Sequence, residues 1–310
     1  MTATPTRFRP AAAPRLRPAG RVPVGPPRPR LGTRLARALS GAFTQVAVLA
    51  VTAVWLFPTL GLAIASLRTT ADNSATGWWT ALAQPSQLTV DNYVALLSNE
   101  TILRSLWNTV LITVPSTVLV VVIGAFAAYA LAWLEFPGRD WLFVTLVALI
   151  VVPVQVAIIP NARLFGLLGV YGHLVGVVAF HVAFGLPLAV FLLRNFFRTI
   201  PRDLVEAARL DGGGELSVFS RVVLPLSGPA IASLAIFQFL WVWNDLLVAL
   251  VFATSENAPI TYALREQMRA FSSNIDVIGP GAFLSMTVPL VVFFAFQRHF
   301  THGVLAGSTK

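Results

Sequence analysis

Residues 206–225, EAARLDGGGELSVFSRVVLP, place Glu206, Arg209, Asp211, Glu215 and Arg221 around three consecutive glycines, between two long apolar runs. The whole chain of 310 residues is 56% hydrophobic and only 11% charged, whereas soluble domains carry roughly a quarter charged residues. Charge concentrated here therefore asks for a reason, and the residues supply a local one. Pro201 opens a helix at its first position, where a missing N–H costs nothing. Asp203 and Glu206 fall in early turns that the helix dipole favours for anions. The run continues to Asp211, and Gly212 supplies the left-handed position that ends it. A second short helix is predicted over 215–223, stopped by Pro225. The result is a helix–turn–helix. Ala207 and Ala208 leave a smooth surface for another protein to approach, with Glu206 beside them as a charge to pair. The same pattern fits an amphipathic helix lying on a membrane.

Outward from this loop, apolar runs of bilayer-spanning length occur at about 42–66, 106–133, 141–163, 173–194, 227–253 and 279–298. Six transmembrane helices and an all-α, polytopic membrane protein are expected. The first run is too long for a signal-peptide core and reads as a retained helix. Placing the N-terminus inside puts 17 of the 22 basic residues on the inner side, which satisfies the positive-inside rule. Both termini and the 195–226 loop are then cytoplasmic, and the protein is a multi-pass protein of the plasma (inner) membrane. Two outer loops, about 67–105 and 254–278, are too small to be domains. The first carries Trp78 and Trp79, which suit an interfacial belt, and TVDNYVALL, which reads as a short amphipathic helix. EFPGRD, 135–140, is a tight turn. Pro153, Pro160, Pro187 and Pro289 fall within spans, where proline bends a helix and frees a carbonyl.

The net charge of +9 belongs to one tail. Nine arginines and no acid lie in residues 1–40; that Pro/Arg-rich segment is expected to be disordered and to rest on anionic lipid rather than nucleic acid. The domain plan is this tail, a six-helix transmembrane body over 41–298, and a cytoplasmic tail over 299–310. There is no cysteine, and the only lysine is Lys310. A phosphate-binding loop needs a lysine at a helix start, so the chain cannot hydrolyse ATP in that way. His173, His181, His299 and His302 form no metalloprotease motif, and no nucleophile elbow appears. No catalytic and no metal residue is assigned; an enzyme is not expected.

The spacing Glu206-Ala207-Ala208, three residues, Gly212, nine residues, Val222, one residue, Leu224-Pro225 resembles the EAA signature of ABC importer permeases. Val222 stands where that pattern has isoleucine. FFRTIPRDLVEAARLDG, LPLSGPAIASLAIFQFLWVWNDLLVALVF and QRHFTHGVLAGSTK look like the carbohydrate, maltose-type branch; FPGRDWLF and VVPVQVAIIPNARL are closest in pattern to α-glucoside permeases. The resemblance implies a type I permease fold. It also implies a second permease, two ATPase subunits that use ATP and Mg, a sugar-binding protein outside, and no cofactor in this chain. Carried over, Glu206 pairs with a basic residue of the ATPase, Ala207 and Ala208 allow close seating, Gly212 makes the turn, and Leu224 and Pro225 anchor the unit to the fifth span.

Asp245 lies inside the fifth apolar run. An intramembrane carboxylate costs at least ~2.5–3.5 kcal/mol on insertion scales, so it must face the bundle and have a partner. Gln238, Trp241 and Asp245 share one face of a continuous helix, with Asn244 adjacent. Aromatic, amide and carboxylate groups suit a sugar, so these four are the candidate translocation lining; bonding of Asp245 to a neighbouring helix is the structural alternative. Two other functions remain open: an ABC permease for another small solute, and a proton-coupled secondary carrier using Asp245 and His181.

Overall fold

A computed structural model describes residues 31–270 and 275–305, with side chains described over 43–268 and 277–296. The chain divides into two units, 1–57 and 58–310. In the first, the described residues form the start of the helix Leu31–Ser66, which begins inside the segment read as tail; residues 1–30 lie outside the described part. Regular secondary structure among the described residues is helical, apart from an isolated antiparallel bridge between Arg68 and Leu88.

Among the described residues four helices are long and apolar enough to cross a bilayer: Phe43–Ser66, Glu100–Trp133, Leu174–Phe197 and Val277–Phe296. Two bent pairs bring the total to six if each pair is one span. The second span starts where Asn99 accepts from the backbone N–H of Thr101 and Ile102, with Glu100 in the first turn. The third is not the single helix expected over 141–163. Arg139–Ile150 and Val154–Leu167 meet at 105°, because Pro153, in an extended conformation, cannot continue the first and caps the second. Pro187, by contrast, sits inside an unbroken fourth span.

The fifth run departs furthest from expectation. Pro225 does not stop the second loop helix: Glu215–Val218 passes through a π-helical turn, Phe219–Val223, into Leu224–Leu226. Proline is tolerated there because it lies in the first turn of the last segment, where its absent N–H is not needed. The chain then bends by 78° into Gly228–Trp243. That helix ends at Trp243, and Leu247–Phe252 follows as a separate piece. Asn244 and Asp245 are short polar residues whose side chains compete with the helix backbone. The side chain of Asp245 accepts from the N–H groups of Val248 and Ala249 at 3.0 and 3.2 Å, capping the second piece.

Apolar burial cannot drive spans together in lipid, so close packing must. The largest interface joins the second and fourth spans. There Gly124 faces Ala189 so closely that an added Cβ would lie 3.0 Å from the alanine's. At the end of the bundle carrying the 195–226 loop, Val205, Val218, Phe219 and Val223 share a core with Tyr129, Leu193 and Phe197. Toward the other end, Ile112, Phe165, Phe180, Val242, Val248 and Phe252 form a second cluster.

The segment after the first span folds into the short helices Thr70–Ala75, Thr80–Ala83 and Asp91–Leu97. Trp78 packs over Gly61, where an added Cβ would come 2.7 Å from its Nε1, while Trp79 is exposed. Arg68, counted from sequence as a loop charge, is fully buried at the centre of this segment. Its guanidinium donates to Gln87 Oε1, Asn73 Oδ1, the carbonyls of Asp72 and Thr76, and the hydroxyls of Thr76 and Thr80, over 2.6–3.3 Å. No carboxylate is among these partners, so the charge is solvated by oriented dipoles.

Candidate functional site

The site residues expected from sequence fall in two places. The first is the loop. Its leading helix is Arg202–Leu210, with Pro201 at the N-cap, one position before the first helical residue expected for it. Asp203 in the first turn and Arg209 in the last both complement the dipole. Gly212 has φ 83°. Its N–H donates to the Arg209 carbonyl at 3.0 Å, and that of Gly213 to Ala208 at 3.1 Å, the paired bonds of a Schellman end. The triple glycine then has three separate tasks. Gly212 takes the left-handed conformation; Gly213 lies so close to the chain that a Cβ would meet the Ala208 carbonyl oxygen at 2.6 Å; Gly214, at φ −66°, caps the next helix with nothing within 4 Å.

Val205 is completely buried and holds this helix to the bundle. Glu206 and Ala207 are exposed, and Ala208 is half-buried. Leu210 is 88% exposed and Leu204 47%. Because positions three apart are neighbours on a helix, Leu204, Ala207 and Leu210 form an exposed apolar stripe beside Glu206. Leu224 is 37% exposed and Pro225 exposed, beyond the π turn.

Arg209 and Glu215, across the glycines from each other, form an ion pair, Nε to Oε1 at 3.0 Å, with Nη2 donating to Oε2 at 3.1 Å. The Glu215 hydrogen bond raises the Arg209 pKa further above its usual value, against desolvation. Oε2 of Glu215 also accepts from the Tyr129 hydroxyl at 2.5 Å. Neither Arg209, Glu215 nor Tyr129 was singled out from sequence; an opposite-charge pair flanking the glycines was the available signal.

The second place is the seam between the fourth and fifth spans. A cleft of about 540 Å³ is walled by apolar groups of the third, fourth and fifth spans, with Phe184, Gly185, Gln238 and Trp241 among them. Gln238 is 6% exposed and its Nε2 finds no partner. It lies against Gly185, where a Cβ would sit 2.8 Å from both amide atoms. Trp241 meets His181 edge-on at 5.2 Å. The four residues read as one lining are therefore divided: Gln238 and Trp241 line the cleft, whereas Asn244 is exposed and bonds back to Leu240. Asp245 lies beyond the end of their helix. It caps the next piece, lies 3.8 Å from His181 Nε2, and accepts at its carbonyl from Thr261 at 2.6 Å. The single helical face expected for Gln238, Trp241 and Asp245 does not exist, because the helix stops at Trp243. No group of three metal-ligating side chains occurs among the described residues.

Long apolar helices, two of the candidate spans bent, with an exposed, braced loop between them define a multi-pass helical membrane protein. Residues 109–305 match the family of binding-protein-dependent transport system inner membrane components, and the chain belongs to that family. It is thus an inner-membrane permease subunit of an ABC importer, not an enzyme. Among its relatives, the osmoprotective compounds uptake permease protein GgtD of Synechocystis is 46% identical over 86% of this chain and 91% of that one. The α-glucoside transport system permease protein AglG of Rhizobium meliloti is also 46% identical, over 73% of this chain and 61% of that one. A chain of a bacterial ABC transporter that imports the acidic polysaccharide alginate superposes with a TM-score of 0.69, covering 89% of this chain and 99% of its own. At 21% identity, what the two share is the fold.

Proposed function

We propose that this chain is one of two permease subunits of an ATP-driven importer for a carbohydrate, an α-glucoside or another oligosaccharide. In this reading both termini and the loop 195–226 are cytoplasmic. The permease domain runs from the helix Leu31–Ser66 to the helix Ile275–Leu305, past the bounds 41 and 298 expected from sequence. A second permease completes the pathway, a sugar-binding protein delivers the substrate outside, and two ATPase subunits bind ATP and Mg.

The observation that carries the coupling is the stripe Leu204, Ala207 and Leu210 beside exposed Glu206, on a helix pinned from behind by buried Val205. An apolar ridge with one charge at its edge suits a cleft with a basic rim. Glu206 supplies the charge pair, Ala207 and Ala208 allow close seating, Gly212 sets the angle, and Leu224 and Pro225 carry the unit into the fifth span. ATP-driven closure of the ATPases then favours one of two arrangements of the bundle, to the extent of its differential affinity for them. For the substrate, the likeness to AglG and a cleft lined by the Trp241 indole beside the Gln238 amide support a sugar. Asn244 and Asp245 act on that lining from the helix break. A reading as an osmoprotectant importer is favoured by the equal identity to GgtD over nearly all of that chain.

Uptake into vesicles holding the complete assembly, with its binding protein, tests this. ATP-dependent uptake of a labelled α-glucoside, abolished by Glu206→Ala together with ATPase association, is expected. Uptake of osmoprotective compounds alone would favour the second reading. Uptake driven by a proton gradient without ATP would overturn both.

A further inference from the structure

The last carbonyls of a helix have no partner within it. At the end of the second span, three of them are taken by arginines from three different elements. Arg194 of the fourth span donates to the Leu131 carbonyl at 3.2 Å, Arg209 of the loop helix to Trp133 at 3.3 Å, and Arg139, at the start of the third span, to Leu134 at 3.1 Å. Positive charge at this terminus also complements the helix dipole. Arg194 lies in addition 3.7 Å above the ring of Phe143 in the third span. The end of the second span is therefore a junction for the third span, the fourth span and the loop.

The loop helix has nine residues and is followed by Gly212, Gly213 and Gly214. A chain of glycines transmits displacement poorly, because its backbone has the widest conformational freedom. The Arg209–Glu215 pair bridges those glycines directly, and Tyr129 fastens Glu215 to the second span. Phe219 reinforces the contact, with ring centroids 5.2 Å from Tyr129 and 4.8 Å from Phe126.

We propose that Arg209, Glu215 and Tyr129 are positioning residues for coupling: they form a clamp that passes movement of the loop helix into the second span, and through the arginine junction into the third and fourth. This rests on the reading of the loop as the ATPase handle. Arg209 is engaged with Glu215 and the Trp133 carbonyl, whereas Leu204 and Leu210 of the stripe are exposed, so docking and transmission fall on different side chains.

The test uses the complete importer in vesicles, with Arg209→Met, Glu215→Gln and Tyr129→Phe compared for ATPase co-purification, basal ATP hydrolysis and solute taken up per ATP hydrolysed. The first two variants are expected to retain the ATPases and basal hydrolysis while uptake per ATP falls about fivefold or more, at the lower end of allosteric coupling effects. Tyr129→Phe loses less, and Arg209→Lys, which keeps the charge, recovers part of the Arg209→Met loss. Unchanged uptake per ATP in both Arg209→Met and Glu215→Gln overturns the clamp. So does loss of the ATPases from either, which would make these residues part of the docking surface. Retention of the ATPases by Glu206→Ala would instead refute the handle, whatever the clamp variants do.

Discussion

Gly212 offers a test in which backbone conformation is isolated from packing. At φ 83° it occupies the left-handed region, yet a Cβ built on it meets no atom within 4 Å. The Cβ of Gly212→Val therefore meets no neighbour, and its main effect comes from forcing a β-branched residue into a conformation that costs L-residues about 1–2 kcal/mol. A nine-residue helix fixed mainly by Val205 relieves that strain by abandoning the two bonds from Gly212 and Gly213 to Arg209 and Ala208. The end of the stripe, with Leu210, then moves. If seating in the ATPase requires the observed arrangement, association weakens by a factor of about 5–30, the equivalent of one to two kcal/mol. Gly212→Asn, which tolerates the left-handed region, should lose much less. Gly214→Ala, at φ −66° with the same empty surroundings, should be silent. ATPase binding to the permease pair in detergent, titrated by fluorescence anisotropy, reads all three. Equal losses for Val and Asn, or a Gly214→Ala defect as large as that of Gly212→Val, would refute the reasoning.

Leu210→Glu should weaken ATPase association without altering thermal unfolding of the permease, since the side chain is 88% exposed; a shifted melting temperature would place Leu210 in the fold instead. Asp245→Ala removes the cap on Leu247–Phe252 and should cost about 0.5–2 kcal/mol, whereas Asp245→Asn keeps an acceptor, so transport changes while assembly survives on size exclusion. Gly185→Ala pushes on the Gln238 amide and should change solute preference in competition uptake more than it changes ATP hydrolysis; an unchanged preference would detach Gln238 from the pathway. Arg68→Met leaves several buried acceptors unpaired, each worth about 1–3 kcal/mol, and should open the 69–92 segment to limited proteolysis while the spans stay protected.

Much of the architecture was legible one segment at a time. Six apolar runs announce six crossings because the length needed to span a bilayer and the absence of charge are properties of each run alone. The loop was legible for the same reason: Asp203, Glu206, Gly212 and the alanines act within a few residues of themselves. The third and fifth runs broke because hydropathy does not register backbone geometry. Val151 to Val154 are all apolar, and only Pro153 marks the 105° bend. At 244–246 two polar residues were read as decoration on a continuous face rather than as its end.

The sequence by itself determined which segments enter the membrane and where the helix–turn–helix of the loop must turn, since hydrophobic transfer and end-capping are local quantities. Tertiary structure alone decided what each buried polar group would find. Arg68 found six oxygens and no carboxylate, and Glu215 found a tyrosine 86 residues away. Unpaired helix carbonyls and unpaired charges are costly wherever they are buried, but which neighbour satisfies them depends on how the spans pack, and no local rule contains that.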